Sequence, residues 1–226
     1  MTDESTSRTK HGAGAQAIAA VLLVGGVTGG IWGLHKVLPG QSDDGPASCS
    51  HSGDPLPSRY VSGAQLCTAL NRPDLPELLG TPKEQARTAS GTDRWDTSFA
   101  GTKEAAPEAE VTLPTYSVNL TASYDHLAVS HLTSLLSNAR PTMVKGHPAV
   151  LYSDRTIALG FSLGGGKADI KPGGIARCLI VAKDPKDGGG SFEMAIWRQD
   201  SVTPDDTALL RAAEQVLPTV PGWKDA

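Results

Sequence analysis

The sequence contains one long run without a charged residue, from Gly12 to Leu34 (GAGAQAIAAVLLVGGVTGGIWGL). At ~1.5 Å of rise per residue, a helix of this length spans about 34 Å, enough to cross a ~30 Å hydrocarbon layer. We therefore predict one transmembrane helix at residues 12–34. It constrains the fold most, because it separates a polar tail at residues 1–11 from everything that follows.

Two other interpretations of this run are weaker. A cleaved signal peptide would use Arg8 and Lys10 as its basic start, but no small-x-small cleavage pattern ends the run. A lipoprotein signal would place a cysteine directly after the run, whereas Cys49 follows a polar stretch and has Pro46 where an aliphatic residue belongs. A retained membrane anchor is therefore favoured over a cleaved segment.

The charges beside the run predict its orientation. Arg8 and Lys10 precede it, and Lys36 is the base that follows it. Cytoplasmic flanks carry the excess of Lys and Arg, so the amino terminus is predicted to be cytoplasmic and the rest extracytoplasmic. The predicted location is thus the cell membrane, with a single pass.

Small residues within the run predict a further interaction. Gly26 and Gly30 form a G-x-x-x-G pattern, which lets two membrane helices approach closely. The pattern is compatible with a homodimer paired through Gly26 and Gly30. Glycine is, however, also common in membrane helices that do not pair.

Composition bounds the remaining sequence. The formal net charge is −4, so nothing in the charge balance favours nucleic acid as a partner. Residues 35–58 are rich in Gly, Ser, Pro and Asp, which predicts a flexible tether. Residues 59–226 suffice for one domain with its own core.

Periodicity in residues 59–226 predicts an α+β domain, with an antiparallel β-sheet and flanking helices. A helix begins at the capping box Ser62 to Gln65, and Leu127 to Leu136 show helical spacing. Residues 83–109 carry little signal apart from a strand near Trp95. A last helix at 204–217, capped by Thr203, should cover the apolar face of the sheet. The predicted strands are 115–120, 149–153, 156–163, 175–182 and 192–198.

The three cysteines admit one disulfide in an oxidising compartment. Cys49 lies in the predicted tether and can reach Cys67 on the first helix at little cost. Cys178 lies in a strand with Ile180 and Ala182 on its face, where a free thiol behaves as a small hydrophobic group. We favour Cys49–Cys67, with Cys67–Cys178 as the rival.

Candidate chemistry is sparse, and no catalytic residue, cofactor or metal site is predicted. Trp197, Arg198 and Asp200 form a potential ligand surface at a strand end, although such a run is more often an Arg–Trp stack with a salt bridge. The run Gly164 to Lys167 lacks the Ser or Thr and the spacing of a phosphate loop. The histidines lack metal-ligand spacing. They are His126, His131 and His147.

Several stretches together suggest a family. They are SGAQLCTALNRPDLPELLGTP, GHPAVLYSDRTIALGF, GGSFEMAIWRQD and PDDTALLRAAEQVLPTVPGW. They resemble uncharacterised actinobacterial, chiefly streptomycete, single-pass membrane proteins over roughly residues 10 to 224. The layout also resembles, more loosely, the PsbP-like sandwich of mycobacterial envelope lipoproteins. The lipid-modified cysteine of those proteins is not implied here, because this sequence has no lipobox.

Two functional classes follow from these observations. The first is a membrane-anchored extracytoplasmic binding or scaffolding module of the cell envelope, with an envelope protein or ligand as its partner. The second is a small extracytoplasmic hydrolase or transferase. The sequence shows no nucleophile together with a base and an orienting group, which favours the first class.

Overall fold

The structure is a computed structural model that describes residues 45–97, 101–160 and 169–225. No helix within these residues is long and apolar enough to cross a membrane. The predicted transmembrane segment at 12–34 and the run 164–167 lie outside them. The helices are α1 (Gly63–Leu70), α2 (Leu75–Leu78), α3 (Val129–Leu132) and α4 (Asp206–Val216). The strands are β1 (Cys49–Ser52), β2 (Thr88–Thr92), β3 (Trp95–Thr97), β4 (Lys103–Ala105), β5 (Glu108–Thr112), β6 (Tyr116–Ser123), β7 (Arg140–Val144), β8 (His147–Gly160), β9 (Asp169–Ala182) and β10 (Ser191–Arg198).

The α+β class is confirmed, but the sheet is mixed rather than antiparallel. Eight strands lie in the order β1-β2-β5-β6-β10-β9-β8-β7, and β3 pairs with β4 in a separate hairpin. Among the described strands the exception to antiparallel pairing is β1, which runs parallel to β2 with Cys49 opposite Ala89. Residues 49–52, which the sequence placed in the tether, thus form an edge strand. Their sequence CSHS has no apolar alternation, so no periodicity could reveal it.

The predicted strands 115–120, 175–182 and 192–198 correspond to β6, β9 and β10, whereas β7 and the first part of β9 are additional. The predicted strand 149–153 and residues 156–160 of the predicted strand 156–163 belong to one strand, β8, so the break predicted between them at Asp154 and Arg155 is wrong. Residues 161–163 lie outside the described residues. Asp154 and Arg155 stay paired with β9, and the register shifts between Arg155 and Ile157. A polar pair inside a strand therefore marks an irregularity in the ladder rather than a reversal of the chain.

Residues 83–109 form structure that the sequence did not predict. The strand near Trp95 is confirmed as β3, and β2, β4 and the first part of β5 are additional. These strands have 3–5 residues each and are rich in Ala, Gly, Ser, Thr and Glu. Residue types with low strand propensity in short segments give little periodic signal.

The helices show which local signals are reliable. The Ser62–Gln65 capping box is present in both directions, with Gln65 N–H donating to Ser62 Oγ at 3.2 Å. At α4 the cap is Asp205 instead of Thr203, and its Oδ1 accepts the Thr207 N–H at 3.0 Å. The helix expected across Leu127 to Leu136 is reduced to the single turn of α3.

The main core lies between the sheet and the layer formed by α1, α2 and α4. The buried side chains of this face include Val118 and Leu120 on β6, Met194 on β10 and Leu209 on α4. Two glycines permit the approach of α1 to β2. A Cβ on Gly63 would lie 2.3 Å from the Thr92 nitrogen, and one on Gly91 would lie 2.1 Å from the Gly63 oxygen.

The opposite face of the sheet has a smaller apolar cluster and several polar groups. Val129 and Leu132 of α3 pack there against β8 and β9, where Cys178 is buried as a free thiol. The buried polar side chains on this side include Glu108 and Asn119. The two faces thus differ in chemistry, although the same strands supply both.

Candidate functional site

The residues proposed from sequence as a ligand surface do not share one face. Arg198 donates to Asp200 Oδ1 at 2.9 Å and Oδ2 at 2.5 Å, and its guanidinium lies 5.1 Å from the Tyr116 ring centroid. The hydrogen bonds from Arg198 lower the pKa of Asp200 to about 2. Trp197 instead packs against the smaller cluster on the other side of the sheet. The salt bridge exists, but the arginine stacks on Tyr116 rather than on Trp197.

A groove of about 510 Å³ lies where four segments meet at one end of the sheet. We call it the Lys183 groove. The segments are residues 58–61 before α1, residues 124–126 after β6, the β9–β10 connection at 183–190, and residues 221–224 near the carboxyl end. Because these segments are far apart in sequence, the groove exists only in the folded domain.

Aromatic rings form one wall of the Lys183 groove. The Tyr60 and Tyr124 rings meet edge to face with centroids 4.7 Å apart, and Trp95 lies 5.7 Å beyond Tyr60. The Tyr124 hydroxyl accepts the Val61 N–H at 2.6 Å, which fixes the chain just before α1. Burial raises the pKa of Tyr124, so this hydroxyl stays protonated at neutral pH.

Lys183 directly follows β9 and is the central cation of the groove. Its Nζ lies 3.2 Å from the Tyr124 ring centroid and 5.2 Å from that of Phe192, and it donates to the Ser123 carbonyl at 2.8 Å. Burial lowers the pKa of Lys183 to about 7, although the nearby Asp125 carboxylate opposes the shift. A lysine after an apolar strand is too common a pattern for the sequence to have identified it.

The two carboxylates of the groove are occupied by its own loops. Asp125 accepts the Leu127 N–H at 3.0 Å and the Ser123 hydroxyl at 2.7 Å. Asp184 accepts the Lys186 N–H at 2.9 Å and lies 3.6 Å from Lys224 Nζ. Burial opposes ionisation of Asp184, but hydrogen bonds from the Gly188 and Lys186 amides and the charge of Lys224 outweigh it, so its pKa is lowered. Asp125 and Asp184 therefore stabilise the turns of the loops in which they lie.

A second group of titratable side chains lies on the face of the sheet opposite the helix layer. Tyr152 donates to Glu193 Oε1 at 2.5 Å, and Asn119 donates to Glu108 Oε1 at 2.5 Å. Burial raises the pKa of Glu193 to about 7 in spite of the Tyr152 hydrogen bond. Burial and the neighbouring Glu108 likewise raise the pKa of Glu110 to about 7. Glu193 and Glu108 each accept a hydrogen bond from a neighbouring side chain, so these groups define a titrating region rather than a ligand site.

Two further places are weaker candidates. A more open hollow of about 670 Å³ runs along α1 and past Arg72, and its lining is mainly apolar. Among the described residues, no three His, Cys, Asp or Glu side chains are grouped to hold a metal ion.

His147 is fully buried, with Nδ1 2.7 Å from the Ala182 oxygen and its ring stacked 3.7 Å from that of Trp223.

The cysteines resolve the choice that the sequence left open. Cys49 and Cys67 form a disulfide across a sequence separation of 18 residues, and Cys178 is free and buried. The favoured pairing is therefore confirmed and the Cys67–Cys178 rival is wrong. The bridge joins the parallel edge strand β1 to helix α1.

These features define an α+β protein with a mixed sheet, a helix layer on one face and a charged, aromatic groove at one end. The chain belongs to a family of unknown function, DUF6215, whose model matches residues 8–139. The match covers the predicted membrane segment and the strands through β6, and ends before β7. No curated protein and no solved structure matches the chain.

Proposed function

We propose that this protein is a membrane-anchored extracytoplasmic binding module of the cell envelope, and that it binds its partner in the Lys183 groove. Residues 12–34 would hold it in the cell membrane as a single-pass anchor. The proposal includes the expected likeness to the PsbP-like sandwich and to actinobacterial membrane proteins. Pairing of two anchors through Gly26 and Gly30 is part of the same proposal.

The Cys49–Cys67 disulfide is the observation that carries the location. Disulfides persist in oxidising compartments and are rare in the cytosol, so the bridge supports a domain outside the cytoplasm. This agrees with the orientation predicted from Arg8 and Lys10 by an independent argument.

The Lys183 groove supports binding rather than catalysis. Its aromatic wall and cations provide contact area and hydrogen-bond donors, which recognition requires. Its carboxylates accept loop amides and are not aimed at a nucleophile. The alternative, a small extracytoplasmic hydrolase or transferase, draws support from Lys183, because a lysine with a pKa of about 7 is suited to proton transfer or nucleophilic attack.

The location is tested with a reporter fused after Ala226. Activity outside the cytoplasm, together with retention of the intact chain in the membrane, is the expected result. A processed chain with a new amino terminus within or after residues 12–34 would contradict the anchor.

The binding role is tested by photo-crosslinking in intact membranes. A photoreactive residue at Ser58, which lines the groove, should give a discrete adduct. The matched control is Glu77, an exposed position outside the groove. Equal adducts from both positions, or none from Ser58, would contradict binding in the groove. Turnover of a substrate class that Lys183→Met abolishes would favour the enzyme.

A further inference from the structure

We propose that the Lys183 groove binds an anionic group, a phosphate or a carboxylate, between Lys183 at its floor and Arg59, His126 and Lys224 at its rim. This inference rests on the proposed binding function and specifies the ligand class. Arg59, His126, Lys183 and Lys224 all line the groove with Asp125 and Asp184. The charges that are not already paired within the protein determine which ligand the groove can bind.

The acidic groups of the groove are held in place by hydrogen bonds from their own loops. Asp125 and Asp184 each accept at least two hydrogen bonds from their own loops. A carboxylate has about four acceptor sites, so two bonds from its own loop fix its orientation and occupy about half of them. A cationic ligand would have to compete with these loop bonds and, at Asp184, with Lys224 at 3.6 Å.

The cationic groups, in contrast, keep donors available. Among the described residues, Arg59 forms no ion pair, and its guanidinium lies 4.6 Å above the Tyr60 ring. A cation over a ring face keeps its N–H donors, and a guanidinium presents them as a fork that matches an oxyanion. Lys224 is 70% exposed and is held near the groove by Asp184 at 3.6 Å. These side chains are placed before any ligand arrives.

Lys183 lies at the floor of the site and has hydrogen-bond donors that the described part of the protein does not use. An ammonium has three donors, and the Ser123 carbonyl accepts one of them. Burial opposes its charge, which lowers its pKa to about 7, so an oxyanion beside it would favour the charged form and raise that pKa. Ligand and proton should therefore bind together, and affinity should fall as the pH rises above 7.

Other charged groups face Lys183 and enter the pH dependence. Asp125 and His126 follow β6, Asp184 follows Lys183 itself, and Lys224 approaches from the carboxyl end. Tyr124 is neutral across the relevant range, because burial raises its pKa. A test must therefore separate Lys183 from His126, which we do by substitution.

The test uses the full chain in micelles of an uncharged detergent, with inorganic pyrophosphate as the probe. Binding is followed at low ionic strength through the backbone amide shifts of Gly188, Gly189 and Gly190, which line the groove. We expect saturable shifts and a weakening of about tenfold in Arg59→Gln, since a hydrogen bond between charged groups is worth about that factor. Lys224→Gln should weaken binding less, because this side chain is more exposed.

The matched control is Arg211→Gln, which removes an exposed arginine outside the groove. Equal affinity in Arg59→Gln, Lys224→Gln and Arg211→Gln would overturn the inference. So would shifts that grow linearly with pyrophosphate and appear over the whole surface. The pH series uses sulfate, an oxyanion whose charge is constant between pH 6 and pH 8.5. Over this range its affinity should fall in His126→Gln as in the native protein. If the pH dependence vanishes in His126→Gln, protonation of Lys183 is not linked to anion binding, and Lys183 is not part of the site.

Two further arms distinguish the source of the anion. Glycerol 3-phosphate represents a free or polymer-borne phosphate, and nanodiscs containing phosphatidylglycerol represent a lipid headgroup. Saturation by one of them that Arg59→Gln weakens supports the anion site and names the source. If a Ser58 adduct forms in membranes while no anionic probe saturates the groove, the ligand class is wrong and the binding function stands. If probes saturate the groove but Ser58 gives no adduct, the anion site stands and the membrane partner is wrong.

Discussion

The two faces of the sheet are built from the same strands but are stabilised in different ways. On β10, Met194 is fully buried against the helix layer, whereas its neighbour Glu193 points to the other face and accepts a hydrogen bond from Tyr152. On β6, Leu120 faces the helices and Asn119 faces Glu108. Alternation along a strand thus separates a face held by packing from a face held by hydrogen bonds.

This difference determines which face responds to solution conditions. Apolar burial is nearly independent of pH, so the helix side should supply a constant part of the stability. The opposite face contains carboxyl groups whose pKa is raised by burial, at Glu108, Glu110 and Glu193. Its contribution should therefore change with protonation.

The largest expected effect is on the helix side. Met194→Ala should lower the free energy of unfolding by about 2–5 kcal/mol, because it leaves a cavity in a close-packed core. Met143→Ala is the matched control, since the same substitution is made at a side chain that is 56% exposed. Urea unfolding of the full chain in micelles measures both. Equal losses would mean that the helix side is not the packed face.

The disulfide gives the next largest effect. Cys49→Ser should destabilise the protein by about 2–3 kcal/mol, because the unfolded chain regains the freedom of the closed loop. Cys49 is the better choice, since Cys67 is itself buried in the core and its replacement would add a packing loss. A reductant should lower the stability of the native protein and leave the variant unchanged. Sensitivity of the variant to reductant would contradict the proposed origin of the loss.

The same contrast explains how much of the fold could be predicted from the sequence. Strands β8, β9 and β10 are long, and alternation of apolar residues predicted β10, the second part of β9 and most of β8, although it divided β8 in two. Strand β5 (EAEVT) alternates as well, but it has five residues and Glu108 and Glu110 occupy one face. Buried glutamates look like exposed ones in a sequence, and this concealed the polar face.

The candidate site was less predictable than the fold. The disulfide was predictable because Cys49 and Cys67 are close in sequence and one of them lies on a capped helix. The Lys183 groove joins four distant segments, and none of them carries a motif. The Trp197 and Arg198 proposal failed to anticipate that neighbouring strand residues point to opposite faces. Recognising the groove required the tertiary contacts.

The smallest expected effect lies on the polar face and sharpens the comparison most directly. The pKa of Glu193 is about 7 in the folded protein, above its usual value of 4.5. Between pH 4.5 and pH 7, Glu193 therefore keeps its proton in the folded protein but loses it in the unfolded chain. The free energy that this group contributes to folding is fully present below pH 4.5 and is lost as the pH rises through 7. From pH 5 to pH 7 we expect the unfolding free energy to fall by about 1–2 kcal/mol from this group. The lower end is favoured, because Glu193 keeps some exposed area.

Glu193→Gln tests this expectation, because glutamine keeps the shape and the acceptor for Tyr152 without titrating. Urea unfolding at pH 5 and pH 7 should show a smaller fall in the variant than in the native protein, with the difference appearing mainly at pH 7. Glu77→Gln, at an exposed position, should leave the fall unchanged. An identical fall in all three proteins would show that Glu193 ionises as readily in the folded state as in the unfolded chain. The polar face would then be solvated like an ordinary surface, and the contrast between the two faces would rest on packing alone.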